Sequence, residues 1–308
     1  MEIQNTPLLN ESDERMKPFA FNGSWLYWQP AVEHRLNAAW INRVSPRSTV
    51  EWYDFNEAIG LENNGYLPNG DPAEYNEKTG SNGIALLNYS YSIDAFSLEF
   101  HEWYLDRIMN TVWLQAVFEK NNWFGGLQYL YQWPLEQQRD LPEPDRYVQP
   151  GENGQVISVN AGMSDRGYAV SLSFSHAFDS GRFLFPRELG RDRVFTSVPR
   201  SRLEGFGDVD VLTLRGDIYP GRVRNLNLGL DFTRVFGAEA DNFVFNKYGK
   251  DEYYQVNSRL HYDFQGFLKN LELDLLYVYK WNVNEVSPDV IFNRSNFHQV
   301  NLVTNFNF

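Results

Sequence analysis

Near its C-terminus the chain reads Leu271-Glu272-Leu273-Asp274-Leu275-Leu276-Tyr277-Val278-Tyr279-Lys280-Trp281. Every second residue, counted from Leu271, is aliphatic or aromatic, and the set between them begins with Glu272 and Asp274. Successive side chains of a β-strand point to opposite faces, so this spacing predicts a strand with one apolar and one polar face. The same alternation recurs in the stretches 170–175, 226–233, 259–264 and 300–308, which predicts an all-β protein.

Thirteen strands are predicted, and their connections alternate between short and long. A soluble sandwich has no reason for that alternation, whereas an antiparallel transmembrane β-barrel has short periplasmic turns and long extracellular loops. Aromatic residues also gather at strand ends, as in 129–133 and 279–281, where the interfacial girdles of a barrel belong. The predicted strands lie near 18–30, 34–44, 82–92, 95–105, 109–119, 122–133, 155–164, 168–178, 207–219, 225–236, 252–265, 270–282 and 297–308.

Composition supports this fold class and narrows the function. The 308 residues carry a formal net charge of -13 and no cysteine, which argues against a nucleic-acid partner, a disulfide framework and a thiolate metal site. The mean hydropathy of -0.49 fits a barrel, whose strands need only one apolar face. Residues 1–5 do not resemble a signal peptide, so we expect that peptide to have been removed or to lie upstream.

The strand count is odd, whereas bacterial single-chain barrels normally have an even number. The first predicted strand would also run inward from the extracellular side, so residues 1–17 would be the tail of an extracellular loop. Two interpretations follow: the first strands of the barrel lie outside residues 1–308, upstream or on another chain, or one strand is miscounted.

Two segments resemble a known family. One is Phe185-Pro186-Arg187-Glu188-Leu189-Gly190-Arg191-Asp192, followed by Phe195-Thr196, Pro199-Arg200-Ser201-Arg202 and Glu204-Gly205-Phe206-Gly207-Asp208. The other is Thr6-Pro7-Leu8 with Asp13-Glu14-Arg15-Met16 and Pro18. Both resemble the OprD family of substrate-specific outer-membrane porins, and the layout of the last two strands is similar as well.

The resemblance implies an eighteen-strand barrel of which residues 1–308 form one domain holding the last thirteen strands. Residues 1–17 and 179–206 then correspond to two inward-folded loops that form the constriction. Family members pass small carboxylate-bearing solutes along a ladder of lumen arginines. This sequence has Glu272 and Asp274 where carboxylate-selective members tend to have arginine, so a neutral or cationic solute stays open.

The candidate solute-binding residues lie in the two loops and on the lumen wall. A guanidinium pairs with a carboxylate through two parallel hydrogen bonds, so the loop arginines could orient an anionic solute. The alternative is that they pair with nearby acids and hold the loop folded. The constriction candidates are Arg15, Arg187, Arg191, Arg200, Arg202 and Asp208. The wall candidates, which set the lumen field or brace the wall, are Arg43, Asp231, Arg259, His261, Asp263, Glu272 and Asp274.

No pattern in the sequence indicates catalysis. His101-Glu102 begins like a zinc-protease motif, but position 105 is leucine, and phosphate-binding and nucleophile-elbow motifs are absent. We therefore predict no enzyme, cofactor or metal. We predict a passive, charge-selective porin of the Gram-negative outer membrane, for small polar solutes that are carboxylate-bearing or amino-acid-like.

Other functions and partners stay open at this point. One alternative is a plugged barrel that serves as a structural or accessory subunit of a larger outer-membrane complex, and another is a soluble all-β binding protein. The partners of a porin would be outer-membrane lipid and lipopolysaccharide, with a homo-oligomer or larger complex undecided. The aromatic Phe308 at the C-terminus would be read by the barrel-assembly machinery or anchor the last strand in the interface.

Overall fold

The structure, a computed structural model, describes residues 6–10, 17–221, 223, 225–284 and 296–306. Its short helical segments are α1 (Phe55–Ala58) and three 3₁₀ turns at Glu136–Asp140, Glu143–Asp145 and Gly266–Leu268. The strands are β1 (Ala20–Ala31), β2 (His34–Ser45), β3 (Tyr53–Asp54), β4 (Ile84–Ile93), β5 (Phe96–Leu105), β6 (Met109–Lys120), β7 (Trp123–Pro134), β8 (Gln155–Asp165), β9 (Tyr168–Ala177), β10 (Val209–Ile218), β11 (Leu226–Phe236), β12 (Tyr253–Asp263), β13 (Leu271–Asn282) and β14 (Phe297–Phe306).

All these strands belong to one antiparallel sheet. Thirteen of them follow one another in chain order from β1 to β14, and the two-residue β3 pairs only with the end of β2. The predicted thirteen strands are therefore confirmed, and β3 is an addition that the sequence did not indicate. Within the described residues β1 and β14 each pair on one side only, so they form the two edges of the sheet.

The two faces of the sheet differ as the alternation predicts. Leu172, Leu214 and Phe232 are neighbours in register on the outer face and are 51%, 49% and 39% exposed. The next residues in the chain point inward: Thr213 precedes Leu214, and Thr233 follows Phe232. These two threonines are neighbours in register and are almost fully buried. Apolar side chains are thus exposed on the outside and polar ones enclosed on the inside, which is the arrangement of a membrane barrel.

The packed core lies inside the sheet, at the end where the long connections meet. The fully buried residues of this core include Leu8, which lies ahead of β1, and Phe55, Phe183 and Leu189 of the connections. In the described residues the opposite end carries short turns, for example the two residues 166–167 between β8 and β9. In the residues that the structure describes, no helix is long and apolar enough to cross a membrane.

Candidate functional site

The connection between β9 and β10, residues 178–208, folds inward and is called the inner loop below. Gln132 of β7 holds it at one point, because its Nε2 donates to the Leu184 carbonyl at 2.7 Å and its Oε1 accepts from the Leu184 amide at 2.9 Å. Gln128, four residues earlier on β7, makes the same pair of contacts: its Nε2 donates to the Arg193 carbonyl at 3.2 Å and its Oε1 accepts from the Phe195 amide at 3.0 Å. A glutamine amide carries a donor and an acceptor group, so each side chain bonds one backbone carbonyl and one backbone N–H, as a neighbouring strand would.

Inward polar residues of three further strands fasten the second half of the inner loop. The Ser175 and Thr196 hydroxyls share a hydrogen bond of 2.7 Å, and the Thr213 hydroxyl donates to the Thr196 carbonyl at 3.0 Å. Asn257 of β12 donates to the Pro199 carbonyl at 3.0 Å. Sequence reasoning placed polar side chains on the inner face but missed this role, because the partners are backbone groups far away in the chain.

The two segments that resemble the OprD family contact each other. The Arg193 amide donates to the Pro7 carbonyl at 3.0 Å, and Asn10 Nδ2 donates to the Arg191 carbonyl at 2.6 Å. Gly190 permits this contact, because a Cβ there would collide with the carbonyl oxygen of Leu8. Residues 6–10 therefore pack on the inner loop, while Arg15, another constriction candidate, lies outside the described residues.

Two of the candidate arginines make contacts that hold the inner loop. Arg187 Nε donates to Glu204 at 2.8 Å, and its guanidinium lies 3.4 Å from the centre of the Tyr248 ring. Burial would raise the pKa of the Glu204 carboxyl, but Arg187 and the nearby lysines hold that pKa below its ordinary value. Arg191 is buried and donates to the Val198 and Ser201 carbonyls, the second at 2.7 Å.

Arg200 and Arg202 line a cavity of about 270 Å³ at the long-connection end. Three cations that the sequence analysis did not single out, Arg47, Lys250 and Lys280, also line this cavity. Among the described residues that line it, Glu62 is the only acid. Asp208, in contrast, is exposed at the end of the inner loop and does not line this cavity. The lining residues, called the basic cavity below, are Arg47, Glu62, Arg187, Arg191, Arg200, Arg202, Lys250, Tyr253, Lys280 and Phe297.

A second cavity of about 610 Å³ lies on the other side of the inner loop, toward the short-turn end. Its lining includes Glu119, Ser171 and Asp217 from the strands, together with inner-loop residues from Arg191 to Pro199. Arg191 is common to both cavities, so the inner loop forms the partition between them.

Two wall candidates, Asp231 of β11 and Arg259 of β12, belong to one network. Asp231 accepts from Arg215 Nε and Arg259 Nη2, each at 3.0 Å, and Arg259 also lies 3.1 Å from Asp217. Gly229 makes room for the Arg259 guanidinium, because a Cβ at position 229 would lie 2.6 Å from Arg259 Cζ. Since Asp231 is only 1% exposed, these contacts brace the wall across three strands.

The remaining wall candidates lie near the short-turn end, except Arg43, which lies beside an irregularity in the pairing of β1 with β2. His261 Nδ1 lies 2.7 Å from Asp274, and its Nε2 lies 3.2 Å from Asp263. Glu272 is half-buried on β13 and stands opposite Asp263 in register. Arg43 is exposed opposite Asn22, beside a register shift between β1 and β2. Among the described residues no group of three histidine or acidic side chains is arranged to hold a metal ion.

The single antiparallel sheet, with apolar side chains exposed outside and polar ones enclosed inside, defines a class by its fold, the membrane β-barrels. No family model matches the sequence, and no curated protein matches it either. Solved structures do match along almost the whole chain at low sequence identity. They confirm the resemblance at the level of the fold, because this chain has the fold of the OprD-family channels.

Three of these structures illustrate the match. OccK3 (OpdO) of Pseudomonas aeruginosa is 14% identical with a TM-score of 0.72, covering 98% of this chain and 73% of that one. OccAB2 of Acinetobacter baumannii is 16% identical with a TM-score of 0.73, covering 99% and 72%. OpdK of Pseudomonas aeruginosa, solved with vanillate, is 15% identical with a TM-score of 0.71, covering 98% and 72%.

Proposed function

We propose that this chain forms the wall and constriction of an outer-membrane porin through which small carboxylate-bearing solutes diffuse passively. The observation that carries the proposal is the partition of the interior by the inner loop, with cationic side chains lining the cavity on its long-connection side. A narrow, water-filled passage with low-dielectric walls concentrates counter-ions of the opposite charge. The charge of the side chains that line the passage, and not the net charge of -13, then determines whether anions or cations pass more easily.

The position of the acidic wall residues supports an anionic solute. Glu272 and Asp274 lie near the short-turn end, on the far side of the inner loop from the basic cavity, and His261 contacts Asp274. They therefore do not neutralise Arg200 and Arg202 directly. OpdK, solved with vanillate, provides a precedent for an aromatic carboxylate in a channel of this fold.

The proposed pore has a defined orientation and surroundings. The short turns face the periplasm, the long connections face the exterior, and the exposed Leu, Val and Phe side chains of the outer face contact lipid and lipopolysaccharide. Because β1 and β14 each pair on one side only within the described residues, further strands would have to close the barrel between them. Insertion by the barrel-assembly machinery and a homo-oligomeric or larger assembly are part of the same proposal.

The test is the reversal potential of the purified protein in a planar bilayer across a potassium chloride gradient. We expect a preference for chloride, and we expect R200Q/R202Q to lower the chloride-to-potassium permeability ratio about twofold or more. Lys269→Gln, in an exposed turn at the opposite end, is the matched control and should leave the ratio unchanged.

Two results would contradict the proposal. Bilayers without any conductance would favour the accessory subunit with a plugged lumen. A stable preference for potassium would exclude steering by the basic cavity and point to the acidic wall.

A further inference from the structure

We infer that the basic cavity binds small dianions, such as dicarboxylates or phosphate monoesters, in preference to monoanions. This inference deepens the proposed function and rests on it, because it names the charge of the solute that the constriction selects. The evidence is a group of cations on three separate elements, Arg202 of the inner loop, Lys250 of the connection before β12 and Lys280 of β13.

Lys280 is the clearest of these cations. Its side chain is 8% exposed, and its Nζ lies 3.6 Å from the centre of the Tyr253 ring. A ring face attracts an ammonium ion but does not neutralise it. Within the described residues Lys280 contacts no carboxylate.

Lys250 and Arg202 also make polar or ring contacts without an acidic partner in the described residues. Lys250 Nζ lies 3.4 Å from the Glu204 carbonyl, which accepts its hydrogen bond, and near the Phe206 and Tyr248 rings, at 4.7 and 5.2 Å from their centres. Arg202 Nη1 donates to the Gly190 carbonyl at 3.3 Å. Neither forms an ion pair with an acid in the described part of the chain.

The acids nearest to these cations already have other partners. The Glu204 carboxylate accepts from Arg187 at 2.8 Å and from the Tyr248 hydroxyl at 2.9 Å. Asp192, which also attracts Arg202, accepts from the Ser197 hydroxyl at 2.7 Å and from the Leu203 amide at 3.2 Å. Glu62, the one acid among the described residues that line the cavity, lies 4.0 Å from Arg47.

The cations also repel one another. Burial, followed by repulsion from Arg187, holds the pKa of Lys250 well below its ordinary value. Burial and repulsion from Arg187 and Arg191 likewise lower the pKa of the Arg202 guanidinium. Such a cluster has a high electrostatic cost when empty, and a bound anion relieves that cost.

Charge and size together define the ligand. A dianion supplies one more counter-charge to Arg202, Lys250 and Lys280 than a monoanion does. The cavity of about 270 Å³ holds roughly nine water molecules at about 30 Å³ each, which suits a solute of about ten non-hydrogen atoms.

The experiment is a calorimetric titration of the purified full chain in detergent at neutral pH. The probes are butyrate, succinate and glycerol 3-phosphate, since the first two share four carbons and differ by one carboxylate. We expect the dissociation constant of succinate to be about tenfold lower than that of butyrate, the size of one additional ion pair. A tighter binding of glycerol 3-phosphate than of succinate would identify a phosphate as the preferred form of the dianion.

A variant locates the effect. Lys250→Met with Lys280→Met keeps the apolar stems and should reduce the preference for succinate to about twofold or less. Lys269→Met is the matched control and should retain the full preference. Equal affinity of the wild type for butyrate and succinate, or binding of neither, would overturn the inference. The titration does not depend on conductance, so its result is independent of whether the protein conducts in a bilayer.

Discussion

Lys247 is buried among aromatic rings that come from three connections. Its Nζ lies 4.0 Å from the centre of the Tyr147 ring and 4.6 Å from that of Tyr75, and within the described residues this nitrogen makes no hydrogen bond. Burial, together with repulsion from Arg182, lowers its pKa to about 7. The residue thus packs the connections together through cation–π contacts while carrying a large desolvation cost.

This burial predicts a pH-dependent stability. The pKa of Lys247 is about 7 in the folded state and 10.5 ordinarily, so the unfolded state binds more protons between pH 7 and 10.5 and stability rises with pH in that window. Lys247→Met should therefore be more stable than the wild type near pH 7, by roughly 1–3 kcal/mol, with a gap that narrows toward pH 10. Urea midpoints in detergent at several pH values measure this gap. A gap that does not change with pH would contradict the assignment.

Residue roles were harder to predict from the sequence than residue positions. Alternation along β13 correctly puts Lys280 on the inner face, but nothing in the sequence brings it near Tyr253 or Lys250. Arg187 and Glu204 are 17 residues apart within one irregular loop, so their pairing depends on how that loop folds. Periodicity assigns faces of strands, and it gives no distances between the side chains of loops.

The inner loop is the element on which the proposed function depends, and Gln132 holds it through two hydrogen bonds to the Leu184 backbone. Gln132→Leu would leave the buried amide and carbonyl of Leu184 without partners, at about 2 kcal/mol of local stability. We expect the Leu184 amide to exchange its hydrogen roughly 30-fold faster in this variant. Hydrogen exchange read by mass spectrometry measures this rate.

The control for that variant is Gln299→Leu. Gln299 lies on β14 and donates to Asn301, and it makes no contact with the inner loop in the described residues. Its replacement should leave the exchange of Leu184 unchanged. Unchanged exchange in Gln132→Leu as well would mean that the loop does not depend on this attachment.

The sequence predicts an element only where apolar and polar residues alternate over several positions. The thirteen strands each supply several residues in strict alternation, whereas β3 and α1 contribute two and four residues and show no period. The Asp54 side chain accepts from the Glu57 amide at 2.9 Å, and Glu57 returns the contact, so α1 is held by its capping box. That short pattern occurs too often in sequences to predict a helix alone.

At the scale of the whole molecule, net charge and local charge have opposite signs. The chain carries 40 acidic and 27 basic residues, yet the described lining of the basic cavity consists of seven cationic side chains, one acid and two aromatic residues. The sum over the sequence could not reveal this separation, because it depends on which loops fold inward. The architecture of the sheet, in contrast, could be predicted, because the alternation of apolar and polar residues is contained within each strand.

The central claim is that the apolar face of the sheet contacts lipid and the polar face lines a wet interior. The chain has no cysteine, so single cysteines can be placed at the adjacent pairs Ser171/Leu172 and Asn227/Leu228 and labelled with nitroxides. In lipid vesicles, labels at Leu172 and Leu228 should collide mainly with oxygen, and labels at Ser171 and Asn227 mainly with a water-soluble nickel chelate. Leucine labels that are shielded from both reagents would show a second layer of protein on that face and would contradict the claim.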